Sequence, residues 1–248
     1  MGRLTDGIKH LLIINILFFI ATSLYGDLFY QWFSLWYVQN PNFAPWQVVS
    51  HMFMHGGFMH ILFNMYALWA FGSPLERMWG TRKFLFFYFS AGLGAALIHT
   101  GVNFYHVNQG LDALRAAGIP ESEVLSLMDQ GMLNQEWYRV APRGVVESML
   151  SSFMTPAVGA SGAIYGILVA FGMMFPNSEL FLIFLPIPIK AKYFIPVLIG
   201  LDLFSGVTGY SIFGNGIAHF AHVGGALFGF IMMWYWKRNQ FNKNRWDL

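Results

Sequence analysis

Charged residues gather in clusters along this chain, and the stretches between them are apolar. No Asp, Glu, Lys or Arg occurs from Leu28 to Leu75, from Phe84 to Leu111, from Ser148 to Asn177, or from Leu203 to Trp236. A membrane-spanning helix needs about 20 consecutive, mostly apolar residues, and runs of this length satisfy that need. The pattern predicts six spans, at about 8–25, 57–78, 83–105, 157–175, 192–206 and 216–236. The expected fold is an all-α polytopic membrane protein. It forms a single domain over 1–248, a six-transmembrane-helix bundle with its core at about 8–236.

The connections carry their own signals. The first apolar run reads as a retained helix rather than a cleaved signal, because no A-x-A site follows it. Phe29, Tyr30, Trp32, Phe33, Trp36, Tyr37 and Trp46 crowd the loop after it. Aromatic residues at that density suit the headgroup region of a bilayer. Residues 106–150 are polar and form an extended outer loop between the third and fourth helices, with short amphipathic helices expected at 111–117 and 121–130. Pro176, Pro186 and Pro188 punctuate the link between the fourth and fifth helices. Residues 237–248 form a basic tail.

Composition agrees with this class. Apolar residues make up 56% of the chain and charged residues 10%, and the mean hydropathy is +0.49. An ordinary soluble domain carries about 25% charged residues. Cysteine is absent, which excludes disulfides, thiolate catalysis and thiolate zinc sites. The net charge of +2 matters less than its placement, since 11 of the 14 Lys and Arg fall on one side of the predicted topology. Basic loops lie on the cytoplasmic side. Both termini are therefore expected in the cytoplasm, and the expected location is a bacterial plasma (inner) membrane. The lipid bilayer is the expected partner, and nucleic acid is not.

The candidate chemistry lies at the start of the fourth span, in Gly159-Ala160-Ser161-Gly162-Ala163-Ile164-Tyr165-Gly166. His222 lies in the sixth span, 61 residues further on. Polar and ionisable groups at membrane depth are costly and mark function by default. Serine is a weak nucleophile at neutral pH and needs a base within hydrogen-bond reach; histidine supplies one. No acidic residue lies near His222 in sequence, so the expected unit is a dyad. Tyr165, at i+4 from Ser161, shares its helix face and suits packing against the imidazole. Gly162 and Gly166, and Gly225 and Gly229, are each four apart, the spacing that lets helices approach closely in lipid.

An acyl-transfer site also needs donors for the developing oxyanion. His60 and Asn64 project from one face of the second span and offer side-chain donors. The Ser161 amide, near a helix N-terminus, offers a third. The other polar groups read as structural. His51, His55 and His60 lack the H-E-x-x-H pattern and an accompanying carboxylate, so no metal is expected. His219 and His99 read as packed histidines, and Asp202 as an acid that must face a partner or water.

With these residues in register, the chain resembles the rhomboid family of intramembrane serine proteases. The resemblance rests on His60-Ile61-Leu62-Phe63-Asn64, on Gly159-Ala160-Ser161-Gly162 with Tyr165-Gly166, on Ala221-His222 with Gly225 and Gly229, and on Leu75-Glu76-Arg77-Met78-Trp79-Gly80. It implies a rhomboid-like fold that cleaves single-span transmembrane protein substrates near their outer membrane boundary. It implies Ser161 as nucleophile and His222 as general base. An oxyanion site would come from His60, Asn64 and Ser161, with Tyr165 and Gly159 in support and no cofactor. It further implies that the fifth helix and the loop before the sixth form a substrate gate and cap. The long third loop and the lack of a Trp-Arg pair in the first loop depart from the family pattern. The alternative is a non-catalytic relative that binds membrane clients, which would be expected to lose the serine or the histidine. A channel would carry its polar residues on to the inner side, and here they stop near the outer third.

Overall fold

A computed structural model describes residues 4–182, 185–210 and 218–240. The chain begins with α1 (Asp6–Tyr25), α2 (Asp27–Phe33), α3 (Gln47–Ser50) and a 3-10 turn at His51–Phe53. There follow α4 (Phe58–Ala67), a π-helical turn at Leu68–Gly72, α5 (Ser73–Trp79) and the long α6 (Thr81–Ala116). Next come α7 (Glu121–Asp129), α8 (Trp137–Val140), α9 (Arg143–Met154) and α10 (Ser161–Met174). A hairpin of β1 (Glu179–Leu182) and β2 (Leu185–Lys190) leads to α11 (Ala191–Thr208), and α12 (His219–Gln240) closes the described chain.

Among the described residues α1, α6 and α11 are long and apolar enough to cross a membrane. By this measure three spans stand, against the six that the apolar runs suggest. The helix α10 is apolar but has 14 residues. The second expected span is continuous in direction but divided between α4, the π turn and α5, with Pro74 in the first turn of α5. Proline has no N–H to donate into the preceding turn, and a π turn is a common local remedy. The stretch 216–217, expected to open the sixth helix, and the tail residues 241–248 lie outside the described residues.

The helices α6, α10 and α12 form the centre, and glycine sets their spacing. A Cβ at Gly225 would lie 1.8 Å from the Gly162 carbonyl oxygen, and one at Gly229 would lie 2.6 Å from the Gly166 Cα. From the α6 side, the Ala95 and Ala91 methyls come within 2.5 Å of where Cβ atoms at Gly162 and Gly166 would be. Such backbone contact is how helices gain packing energy in lipid, where apolar burial drives little association. At the basic end the Trp79 and Trp236 rings meet edge to face at 5.5 Å, with Lys83 Nζ 4.3 Å from the Trp236 ring centroid. There Glu76, 3% exposed, also caps α1: it accepts from Gly7 N (2.7 Å), Ile8 N (2.9 Å), the Thr5 hydroxyl and the Thr81 hydroxyl (2.6 Å). A carboxylate at a helix N-terminus satisfies free N–H groups and complements the dipole.

Three expectations need correction. The segment 106–150, expected as an extended outer loop with short helices at 111–117 and 121–130, keeps the second of these as α7, but in place of the first it continues α6. The helix α6 runs on through Ala116, and at Gly110 it packs so closely on Met149 that a Cβ there would lie 2.5 Å from that side chain. With α7, α8 and α9 it encloses a second apolar cluster that includes Val107, Leu114, Val124, Trp137, Val146 and Phe153. The link before α11 is an antiparallel hairpin pairing Glu179 with Lys190 and Leu180 with Ile189. Pro186 and Pro188 are two apart, so their missing N–H groups fall on one edge, as a two-stranded ribbon allows. The fourth helix starts at Ser161 rather than 157, because the residues before it are extended and Leu35 and Ala157 exchange backbone bonds of 2.9 and 2.8 Å.

Candidate active site

Ser161 is the first residue of α10, preceded by an extended segment that the first loop holds in place. That loop is itself built around Gln47, a fully buried side chain. Its amide nitrogen, Nε2, donates to Asn42 O (2.8 Å), Gln31 O (3.2 Å) and Trp32 O (3.3 Å), and its Oε1 accepts from Trp36 N (3.3 Å). Trp32 and Trp46 remain more than half exposed, as rings at a bilayer surface would be. His51 follows, and burial pushes its ring down to about 4. The neutral imidazole donates Nδ1–H to Gln47 O (2.8 Å), while the His51 carbonyl accepts from Gly159 N (2.9 Å).

Gly159 turns the chain toward the serine with φ of +123°. Side chains rarely adopt that backbone, and a Cβ there would lie 2.8 Å from His60 Nε2 and 3.4 Å from Ser161 Oγ. Gly159 thus keeps open the space between the serine and the second span.

Ser161 Oγ lies 2.8 Å from His222 Nε2. The close contact of Gly162 with Gly225 brings α10 and α12 together one turn away. Tyr165 stacks on the His222 ring, with centroids 4.2 Å apart and planes 11° from parallel. The other nitrogen, Nδ1, lies 3.1 Å from Asp202 Oδ1. The same oxygen lies 2.6 Å from His219 Nδ1, and the Tyr165 hydroxyl donates to Oδ2. Asp202 is 1% exposed. Sequence reasoning left its partner unnamed, since 20 residues and a helix boundary separate it from His222. The signal available was its position as the one acid inside the expected fifth span, 192–206.

The structure brings His60 to the same pocket. Gly56 N donates to its Nδ1 (3.4 Å), which leaves Nε2 as the proton-bearing nitrogen beside Gly159. Asn64 is buried and uses one amide hydrogen on the His60 carbonyl (3.0 Å), four residues back. The His55 and His60 rings meet edge to face at 5.0 Å. His99 stays with α6, its Nε2 bonded to Asn103 Nδ2 (3.1 Å). Among the described residues no three His, Asp or Glu side chains gather in a metal-binding set.

The fold and site together define a helical membrane protein in which a serine at a helix start meets a histidine from another helix. The family model for the Rhomboid domain matches residues 42–114 and 139–239, and the chain belongs to the rhomboid family. It is 23% identical over 188 residues to Rhomboid protein 1, mitochondrial, of Saccharomyces cerevisiae, covering 76% of this chain and 41% of that protein. It is 28% identical over 189 residues to Presenilin-associated rhomboid-like protein A, mitochondrial, of Danio rerio, covering 76% of this chain and 36% of that protein. Rhomboid protease GluP of Bacillus subtilis is 36% identical over 52 residues, 21% of this chain and 10% of that protein. The chain spans less than half the length of these relatives.

The names of the two long matches overturn the expected bacterial plasma membrane with cytoplasmic termini. Basic residues report which side of a bilayer a loop occupies, not which membrane holds the protein.

Proposed function

We propose that this chain is an intramembrane serine endopeptidase that hydrolyses single-span membrane proteins near one membrane boundary, within a bundle of six spans. The observation that carries the reading is the 2.8 Å contact between Ser161 Oγ and His222 Nε2. Family membership supports it, since rhomboids include intramembrane serine proteases.

In this reading Ser161 Oγ attacks the scissile carbonyl carbon as its proton passes to His222 Nε2. The carbonyl oxygen takes the negative charge. Donors for it are the Ser161 amide, free at the start of α10, the His60 Nε2–H, and the second amide hydrogen of Asn64. The C–N bond then breaks, and the Nε2 proton leaves with the amine. A water, deprotonated by the same imidazole, hydrolyses the acyl ester. Tyr165 supports the ring by stacking, and Gly159 keeps the pocket clear.

The test is cleavage of a purified single-span substrate in detergent by wild type, S161A and H222A. The reading expects fragments from wild type alone, with all three proteins inserted and folded. A fluorophosphonate should label Ser161 in wild type and not in H222A. Equal cleavage by S161A overturns the reading.

A further inference from the structure

An imidazole that takes a proton from serine must present Nε2 as a lone pair, so its one proton must sit on Nδ1. In water the two tautomers exchange freely. At a buried site something must select one. The environment of His222 Nδ1 makes that selection, and it comes from α11 rather than from either helix that carries the pair.

We infer that Asp202 is a positioning residue for His222, holding the ring as the Nδ1–H tautomer with Nε2 turned to Ser161. The inference rests on Ser161 and His222 being nucleophile and base, and it adds a carboxylate to the dyad expected from sequence. Three observations support it. Nδ1 and Nε2 of the one ring face Asp202 Oδ1 at 3.1 Å and Ser161 Oγ at 2.8 Å. The Tyr165 ring lies flat against the same imidazole at 4.2 Å, which removes the remaining rotation. The carboxylate is 1% exposed and is fixed in its turn, by His219 Nδ1 on Oδ1 and by the Tyr165 hydroxyl on Oδ2. A buried carboxylate without such donors would cost several kcal/mol. Tyr165 thereby acts on both partners, stacking on the base and anchoring the acid that orients it.

The proton count closes without any transfer to Asp202. When Ser161 Oγ bonds to the carbonyl carbon, its proton moves to Nε2 and the ring becomes an imidazolium. The Nδ1 proton stays where it is, and the carboxylate stabilises the new charge. When the C–N bond breaks, the Nε2 proton goes to the leaving nitrogen and the ring returns to its starting tautomer.

The experiment compares kcat and KM for wild type, D202N, D202E and S161A on one single-span substrate. Fold is checked by thermal unfolding in the same detergent. An asparagine amide donates to Nδ1 and so favours the wrong tautomer. The expected loss in D202N is about 10²–10⁴-fold in kcat, with KM within about threefold and partial recovery in D202E. A merely structural acid would instead lower the folded fraction and leave kcat per folded molecule intact. Wild type is read independently by 15N spectroscopy of histidine-labelled protein, with His222 assigned by its loss in H222A. Its Nδ1 should carry the proton. A proton on Nε2 overturns the inference even if D202N does not fold. Full kcat in folded D202N, alongside an inactive S161A, overturns this inference alone. Cleavage by S161A overturns the nucleophile assignment and this inference with it.

Discussion

Gly225 faces Gly162 so closely that a Cβ on Gly225 would lie 1.8 Å from the Gly162 carbonyl oxygen. The atom blocked is backbone, so no rotamer change relieves the clash. G225A must push α12 away from α10, and with it His222 from Ser161. A misplacement of 1 Å can cost about 10²-fold in rate. Activity of G225A should fall by about that factor, and G225L should fall further, while membrane insertion persists. Turnover per folded molecule, measured beside expression, checks this. Normal turnover in G225L would contradict the role assigned to close packing.

Gly159 permits a separate prediction at the mouth of the pocket. Its φ of +123° and the 2.8 Å that would separate a Cβ there from His60 Nε2 both argue against any side chain. G159A should lose about 1–3 kcal/mol of stability through backbone strain and should lower kcat by moving His60. Thermal unfolding and single-turnover rates read the two effects apart.

Tyr165 can be dissected in the same way. Y165F keeps the ring that stacks on His222 and removes only the hydroxyl bonded to Asp202. A hydrogen bond to a charged group contributes about 1.5–3 kcal/mol, so kcat should fall about tenfold or somewhat more. Y165A removes both contacts and should fall below Y165F. Equal rates in the two variants would show that the ring contributes nothing to orienting the base.

Glu76 tests stability away from the site. It holds two backbone and two hydroxyl donors that join the start of α1 to the start of α6. In E76Q one oxygen becomes an amide, which faces donors it cannot accept from. The cost should be about 1–3 kcal/mol, read as a lower unfolding midpoint with kcat per folded molecule unchanged.

The parts of this molecule that could be read from the sequence are those set by local spacing. Gly162, Gly166, Gly225 and Gly229 fall at helix-face intervals, and the structure packs those faces together. Ser161 stands at a helix start because a glycine-bounded apolar run begins there. What escaped the sequence depends on contacts between distant segments. The bridge of Leu35 to Ala157 delays the start of α10, and neither segment carries a period that signals it. The acid beside His222 arrives from another helix, at a distance along the chain that no motif spans. The close packing of α6 at Gly110 involves Met149, some 39 residues later, and no local period signals that contact. The hairpin at Glu179–Lys190 hides behind two prolines that read as simple breakers.

The central claim is that Ser161 and His222, 2.8 Å apart, together break an amide bond. The most direct measurement is the rate of fragment release from a purified single-span substrate by wild type and S161A at equal folded concentration. The account predicts release by wild type and none above background from S161A. Release at the wild-type rate by S161A would contradict it.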